Sequence, residues 1–250
     1  MQNREDILEA AQILSKCQRV TVLTGAGIST ESGIPDFRSP ESGIWTKLDP
    51  EDFTIQRFEA NPERFYRLTK GFLQDILKAP ANPAHRALAE MEQLGLIKSI
   101  ITQNIDGLHQ KGGSQKVIEV HGTLQTASCI SCQTQVKISK VFKNVNQGQL
   151  PPLCEACGEP VKPDVIFFGE AMPPAYQDAL TEAKKSDGML VIGSSLVVSP
   201  ANVLPQFIQR LVINNREKTP YHQKADVVIM ESISQTIHRL KEALLERKIM

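Results

Sequence analysis

The 250-residue sequence lacks a net charge and lacks any long apolar run. Its 28 basic side chains balance 28 acidic ones, so a broad basic face is not expected and direct nucleic-acid binding is not predicted. Its longest apolar runs, such as Met189–Ile192, are far shorter than the ~18–20 residues that a membrane-spanning helix needs. Charges interrupt the N-terminus from Arg4 onward, which argues against a signal peptide. These absences predict a cytoplasmic protein without membrane or nucleic-acid partners.

Cysteine is scarce as well, but its spacing is informative. Four of the five cysteines form two C-x-x-C pairs, Cys129 with Cys132 and Cys154 with Cys157, and 21 residues lie between the pairs. Each pair can present two thiolates from a tight turn, so the four sulfurs would fill a tetrahedral zinc site and leave no position for water. The pattern predicts one structural zinc ion. Four unrelated buried thiols or a redox pair are the alternatives, and Cys17 has no assigned role.

Short β-branched runs alternate with helical patterns, which predicts a parallel sheet covered by helices on both faces. The predicted strands are 19–24, 97–102, 117–120, 165–168, 189–192, 211–213 and 227–230. The predicted helices are 5–16, 83–94, 175–185 and 234–247. Two stretches break the alternation, an aromatic-rich one at 39–82 and the cysteine-bearing one at 125–160. We expect these two to form a smaller unit, and residues 1–38, 83–124 and 161–250 to form the large one.

The first predicted strand ends in a glycine-rich turn, Gly25-Ala26-Gly27, where a helix is expected to start. Glycine lets the backbone approach a phosphate closely, and the turn after the first strand of an α/β sheet is where dinucleotides bind. The spacing departs from the dehydrogenase fingerprint, because Thr30 stands where that fingerprint has its third glycine. An NAD-dependent dehydrogenase is therefore disfavoured, and a tight turn without a ligand remains an alternative.

Seven motifs, taken in order along most of the chain, resemble those of the sirtuins, a family of NAD-dependent protein deacylases. They are GAGIS with SGIPDFR at 25–38, TQNIDGLH at 102–109, HG at 121–122, the two cysteine pairs, FFGE at 167–170, GSS at 193–195 and IN at 213–214. The resemblance implies a Rossmann-like parallel sheet with helices on both faces, plus a smaller inserted unit made of a helical module and a zinc ribbon. It also implies that NAD is the co-substrate, that one Zn²⁺ is structural, and that acetyl-lysine proteins are the substrates. In that reaction the acyl group moves from lysine to ADP-ribose and nicotinamide leaves.

The resemblance also assigns roles to individual residues. His121 matches the general base, for which imidazole is suited because its ordinary pKa of about 6.5 leaves the free base populated near neutral pH. Asn104 is the second expected catalytic residue. The expected cofactor-binding residues are Gly25, Ala26, Gly27, Ser29, Thr30, Asp36, Phe37, Arg38, Gln103, Asn104, Ile105, Asp106, His121, Gly193, Ser194, Ser195 and Asn214. The expected substrate-binding residues are Ile166, Phe168, Gly169, Glu170 and Val197, and the expected zinc ligands are Cys129, Cys132, Cys154 and Cys157.

The resemblance also bears on how the substrate is held. An extended peptide is expected to add as a strand between Val165–Glu170 and Leu196–Val198. Sirtuins that favour succinyl groups carry a Tyr and an Arg three residues apart in the helical module, and the matching positions here are Thr69 and Phe72. A neutral acyl group, acetyl first, is therefore expected, although Arg64 and Arg67 lie nearby in the sequence.

Two other functions stay open at this stage. A mono-ADP-ribosyltransferase would use the same site and differ in the group that attacks the ribose. A non-catalytic zinc-ribbon binding module would need only the cysteine cluster. The zero net charge of the chain and the presence of His121 and Asp106 disfavour this alternative.

Overall fold

The computed structural model describes residues 2–249, so Met1 and Met250, where the predicted large unit begins and ends, lie outside the described residues. Its strands are β1 (Val20–Thr24), β2 (Ser99–Thr102), β3 (Val117–Glu119), β4 (Gly122–Cys129), β5 (Gln135–Lys137), β6 (Val161–Val165), β7 (Gly188–Ile192), β8 (Arg210–Asn214) and β9 (Val227–Ile229). Its α-helices are α1 (Gln2–Ser15), α2 (Ile55–Ala60), α3 (Pro62–Lys78), α4 (Pro83–Gln93), α5 (Leu108–Gly112), α6 (Ile138–Asn146), α7 (Pro174–Lys185) and α8 (Ile233–Ile249). Shorter 3-10 helices span Ala26–Ser32, Ile44–Thr46, Pro50–Phe53 and Ala201–Phe207. Between residues 2 and 249, no helix has the length and apolar character needed to cross a membrane.

Six strands of the described chain form a parallel sheet in the order β3-β2-β1-β7-β8-β9, which confirms the predicted parallel sheet. Val22 and Leu23 are adjacent in β1 but belong to different apolar clusters, because successive strand residues point to opposite faces. One cluster joins the sheet to α1, α4 and α8, and the other joins it to α7. The strand order reverses between β1 and β7, and ligands of open α/β sheets bind where such a reversal occurs.

A second sheet is antiparallel, with the order β5-β4-β6. It shares an apolar core with α2, α3 and α6, and this core includes Phe58, Phe65, Tyr66, Phe142 and Phe167. The buried Tyr66 hydroxyl donates to the carbonyl of Val161 at 2.7 Å, so the helical stretch is joined to the start of β6 by a polar contact as well as by packing.

Two predicted elements differ from the structure. The apolar run 165–168 was expected to be a strand of the parallel sheet, whereas β6 ends at Val165 and pairs antiparallel with β4. An apolar run shows that a segment is buried, but it does not show which strand lies beside it. The predicted boundaries at residues 125 and 161 therefore separate β6 from residues 125–129 of β4, with which most of β6 pairs.

The helix expected after the glycine-rich turn is the other difference. Ala26–Ser32 forms a 3-10 helix that ends at Gly33, which has a φ of 87°. Pro35 follows two residues later, and a proline disfavours helical backbone in the residue before it. The next α-helix is α2, beyond a long irregular segment.

Candidate active site

The crevice at the strand-order reversal is lined by backbone from the ends of β1 and β7. The Gly25 N–H donates to Ile192 O at 3.0 Å, and the Gly27 N–H donates to Gly193 O at 2.9 Å. Gly193 has a φ of 60°, and a Cβ there would lie 2.5 Å from the Ile28 nitrogen. Only glycine permits both this left-handed conformation and this approach. The two loops therefore lie in direct contact.

Three polar side chains from two loops form one hydrogen-bonded group in this crevice. The Asn104 amide donates to Gly25 O at 3.1 Å and to Ser29 Oγ at 3.2 Å. Ser29 Oγ donates to Asp106 Oδ2 at 2.7 Å, and Asp106 Oδ1 accepts the Leu108 N–H at 2.8 Å. Burial raises the pKa of Asp106, although the Leu108 and Ser29 hydrogen bonds oppose this rise. Both amide protons of Asn104 are used, and within residues 2–249 no donor pairs with its Oδ1.

His121 lies between β3 and β4, and the structure determines which of its nitrogens is free. Its Nδ1 lies 2.9 Å from the carbonyl oxygen of Gln103. Since a carbonyl only accepts, Nδ1 carries the proton and Nε2 is the free base. Burial lowers the pKa of His121 below its ordinary value of 6.5, although the bond to Gln103 opposes this. Gly122 has a φ of 77°, and a Cβ there would clash with the Asp164 carbonyl, so the residue after His121 is confined to glycine.

The remaining cofactor candidates near β7 and β8 are not equally accessible. Gln103 donates through Nε2 to Ser194 Oγ at 2.8 Å, which joins the ends of β2 and β7. Ser195 is half-buried beside it. Asn214, by contrast, is 0% exposed and donates to the carbonyls of Ile229 and Glu231 at 3.0 and 3.3 Å. Its side chain therefore supports the loop after β9, and its Oδ1 is buried without a partner among the described residues.

The segment that follows the 3-10 helix is held by its own polar groups. Asp36 Oδ1 accepts the backbone N–H groups of Arg38 and Ser39 at 2.9 and 2.7 Å. Phe37 is half-buried, and its ring centroid lies 5.2 Å from that of Trp45. Arg38 is exposed, and no ion pair involving it is present between residues 2 and 249. Ala26, Thr30 and Ile105 are half-buried at the same crevice.

Of the expected substrate-binding residues, Ile166 is bonded directly to the residue expected to be the general base. Ile166 donates its N–H to His121 O at 2.9 Å, and Gly169 is exposed. Phe168 is 47% exposed and Val197 is 50% exposed, so both apolar side chains are open to solvent. Glu170 Oε2 accepts the backbone N–H of Phe167 at 2.6 Å.

The backbone of this segment is partly paired already. The Phe168 N–H donates to Phe53 O at 3.0 Å, and the Ile55 N–H donates to Phe168 O at 3.0 Å. Strand addition along the whole of Val165–Glu170 therefore competes with these bonds to the helical module. The N–H groups of Ile166 and Phe167 are also bonded, to His121 O and to the Glu170 carboxylate, so the segment has few backbone donors left for the expected peptide.

The four paired cysteines meet at one point. All four Sγ atoms lie within 4.8 Å of one another, and three of the separations are 3.4, 3.7 and 3.4 Å. A disulfide needs about 2.05 Å between sulfurs, whereas Zn–S bonds of about 2.3 Å in a tetrahedron give spacings close to those observed. The Thr134 hydroxyl and backbone lower the pKa of Cys132 to about 6, which favours the thiolate. The donor set and its spacing fit a zinc ion.

A buried chain of side chains below the crevice was not found from the sequence. Thr24 Oγ1 donates to Thr102 Oγ1 at 2.8 Å and lies 2.9 Å from His109 Nε2. Because the one hydroxyl proton of Thr24 goes to Thr102, His109 must donate through Nε2. Thr102 Oγ1 also accepts the Asn104 N–H at 3.1 Å. In the sequence, Thr24 and Thr102 each end a predicted strand, and the structure pairs these two strands in parallel with the two threonines side by side.

Comparisons with known proteins agree with this geometry. Residues 25–200 match the Sir2 family, and this span includes the crevice, His121 and the cysteine cluster. The chain belongs to the Sir2 family. It is 46% identical over 241 residues to NAD-dependent protein deacetylase 2 of Caldanaerobacter subterraneus subsp. tengcongensis, with 96% of each chain covered.

Solved structures of other Sir2 proteins have the same fold. This Sir2 chain superimposes with a TM-score of 0.89 and 39% identity on a Sir2 structure containing a deacetylated p53 peptide and 3′-O-acetyl ADP ribose, covering 94% of this chain and 96% of that one. A Sir2 structure with a p53 peptide and NAD⁺ gives a TM-score of 0.87 at 38% identity, covering 97% and 98%. The fold of this Sir2 chain is therefore the one on which those ligands were observed.

Proposed function

We propose that this chain is an NAD-dependent protein lysine deacetylase that transfers the acetyl group of acetyl-lysine to ADP-ribose and releases nicotinamide. One observation carries the proposal above the others. His121 has its free base at Nε2, and its Nδ1 is bonded to Gln103, the residue before Asn104. A general base is thus combined with the Asn104–Ser29–Asp106 group in one crevice. The relatives bear the name of this activity.

NAD is the proposed co-substrate, and it supplies a glycosidic bond to nicotinamide whose cleavage leaves an ADP-ribose acceptor for the acetyl group. Two observations support its fit to these residues. The β1 and β7 loops, whose glycines lie in close contact, end the two strands at the strand-order reversal, which is where dinucleotides bind in open α/β sheets. Asp106 offers a buried acceptor of the kind that a carboxamide N–H₂ group requires.

His121 is the proposed general base. Its Nδ1–H is held by Gln103, so Nε2 can take a proton from a ribose hydroxyl without a change of tautomer. Its lowered pKa keeps Nε2 unprotonated at neutral pH. Asn104 is the proposed partner, since its Oδ1 is the side-chain atom left to orient the ribose or a water.

Phe168 and Val197 are proposed to line the entry for the lysine side chain, and their exposure supports this. Acetyl is the proposed acyl group because Thr69 and Phe72 stand where succinyl-preferring sirtuins carry a Tyr and an Arg, and because the two arginines nearby in the sequence are paired. Arg64 makes two hydrogen bonds to Asp52, at 2.8 and 2.9 Å, and Arg67 is paired with Glu63. The two arginines that could have met a carboxylate are therefore already paired.

The four cysteines are proposed to hold a structural Zn²⁺, with no role in the reaction, because four sulfurs complete its coordination. The same reduced thiols support the proposed cytoplasmic location, where such pairs bind metal rather than oxidise. Cell fractionation with a disulfide-state assay tests the location, and recovery of the protein with Cys129 oxidised would contradict it.

The decisive experiment mixes the purified protein with an acetyl-lysine peptide and identifies the products by mass spectrometry. We expect the peptide to lose one acetyl group, and nicotinamide and O-acetyl-ADP-ribose to form, only when NAD is present. The unacetylated peptide of the same sequence is the control. A peptide or protein that gains the mass of ADP-ribose would indicate a mono-ADP-ribosyltransferase instead.

A further inference from the structure

Lys162, near the start of β6, has its ammonium group fully engaged by the segment that follows it. Nζ donates to Pro163 O at 3.2 Å and to Val165 O at 2.8 Å, and it lies 3.1 Å from Glu170 Oε2. An ammonium group has three protons, so three acceptors satisfy it. The same Nζ lies 4.4 Å from the centroid of the Phe167 ring, within range of a cation–π contact.

The acceptors of Lys162 lie at both ends of the segment beside His121. Val165 precedes Ile166, which donates to His121 O. Glu170 follows Gly169, which has a φ of 87°, and the Glu170 carboxylate also accepts the Phe167 N–H. Lys162 therefore closes a loop of chain whose middle residue, Phe168, is the exposed one.

This ion pair is more shielded than most others in the described chain. The side chains of Lys162 and Glu170 are 13% and 22% exposed, whereas those of Lys140 and Glu155 are 48% and 72% exposed. Exposed pairs contribute little, but removal of one partner of a shielded, hydrogen-bonded pair leaves the other without compensation. Loss of the Lys162 charge should therefore loosen the segment.

We propose that Lys162 is a positioning residue that sets the affinity for the acetyl-lysine peptide by holding residues 165–170 in the shape that keeps Ile166 bonded to His121 and Phe168 exposed. This rests on the proposed function, because it assigns that segment to the peptide. Lys162 itself touches neither substrate nor cofactor. The contacts of its Nζ lie within residues 163–170 and do not include the β1 or β7 loop, so NAD binding should be unaffected.

The test compares Lys162→Met, which keeps the apolar stem and removes all three donors, with the matched control Lys140→Met on the exposed pair. We expect Lys162→Met to raise the KM for the acetylated peptide about tenfold, while the KM for NAD and the Kd for NAD by calorimetry stay within about twofold of wild type. Lys140→Met should leave all three values within about twofold.

Two further variants keep the test informative if Lys162→Met does not fold. Lys162→Arg retains charge and donors and should restore the peptide KM to within about threefold of wild type, whereas Lys162→Gln retains donors without charge and should lie between Arg and Met. A folded Met or Gln variant with an unchanged peptide KM would overturn the proposal, as would an equal rise in both KM values. Failure of the proposed function is distinct, because wild type would then show no deacetylation at all.

Discussion

The two units of the molecule use their polar side chains in opposite ways. In the large unit, Asn104 and Asp106 are 8% and 5% exposed and lie in one hydrogen-bonded group at the strand ends. In the small unit, the pairs Arg64–Asp52 and Lys140–Glu155 lie at the surface, and the interior is an aromatic core beside four thiols. The large unit therefore holds the reacting groups in fixed positions, while the small unit depends on apolar packing and a metal for its shape.

Zinc removal should have the largest effect and should act on the small unit. Structural zinc binding in small domains amounts to ~10–16 kcal/mol, much of it coupled to folding. Cys154→Ser should release the metal and lower the melting temperature by roughly 10 °C or more, measured by calorimetry with metal analysis. Cys17→Ser is the matched control, because Cys17 lies outside the cluster. Full metal content in Cys154→Ser would show that the cluster is not the zinc site.

His121→Ala, in the large unit, should lower the rate of the reaction without changing NAD binding or folding. General-base catalysis typically contributes ~10²–10⁴-fold, so we expect a loss of deacetylation of that order in steady-state assays, with NAD affinity and melting temperature near wild type. In wild type, activity should fall as the pH drops below the lowered pKa of His121. His238→Ala, on the exposed face of α8, is the control. A His121→Ala enzyme with normal turnover would remove the base from the mechanism.

Acid should destabilise the large unit, because it buries two neutral histidines whose ring centroids are 4.9 Å apart, whereas acid acts on the small unit by protonating its thiolates. Burial lowers the pKa of His85 from 6.5 to about 4 and also lowers that of His109. Below pH 6.5 these histidines bind protons in the unfolded chain but stay neutral in the folded one. The free energy of unfolding therefore decreases as the pH falls from about 6.5 towards 4. The pKa shift of His85 alone lowers the free energy of unfolding by about 3 kcal/mol between these pH values.

The measurement is urea unfolding between pH 7.5 and 4.5, followed by amide exchange in each unit. Burial raises the pKa values of Asp106 and Glu119, so protonation of these two carboxyls increases the free energy of unfolding as the pH falls and partly offsets the effect of the histidines. A free energy of unfolding that does not change between these pH values would contradict the assignment of both histidines as neutral and buried.

The smallest expected effect concerns the acyl group, where the small unit contributes to specificity. We expect at least about tenfold higher kcat/KM for acetyl-lysine than for succinyl-lysine, because an unpaired carboxylate loses hydration without gaining a cation. Phe72→Arg, which supplies a cation in α3, should decrease the ratio of kcat/KM for acetyl-lysine to kcat/KM for succinyl-lysine. Equal kcat/KM values on both peptides with wild type would contradict the proposed preference for neutral acyl groups.

The sequence predicted the strand ends well because their chemistry is local. Gly25, Asn104, Asp106 and His121 each follow a short β-branched run, and a parallel sheet brings such positions to one edge. The cysteine pairs were predictable for the same reason, since C-x-x-C is a turn that carries its own ligands.

What the sequence did not show depends on contacts between distant segments. The Val165–Phe168 run gave no sign that its partner was β4. The burial of Asn214 and the bonds of Phe168 to Phe53 and Ile55 follow from how separate loops close over one another. The contacts of the Lys162 ammonium group could not be predicted either, because a lysine side chain is ordinarily exposed to solvent.

Trp45 is the only tryptophan of the chain, and its ring centroid lies 5.2 Å from that of Phe37 and 6.3 Å from that of Phe168. One indole thus adjoins both the loop assigned to the dinucleotide and the segment assigned to the peptide. Its intrinsic fluorescence is a built-in reporter of occupancy on either side, with no background from a second indole. Titrating each ligand alone and then in the presence of the other will reveal the order in which the two bind.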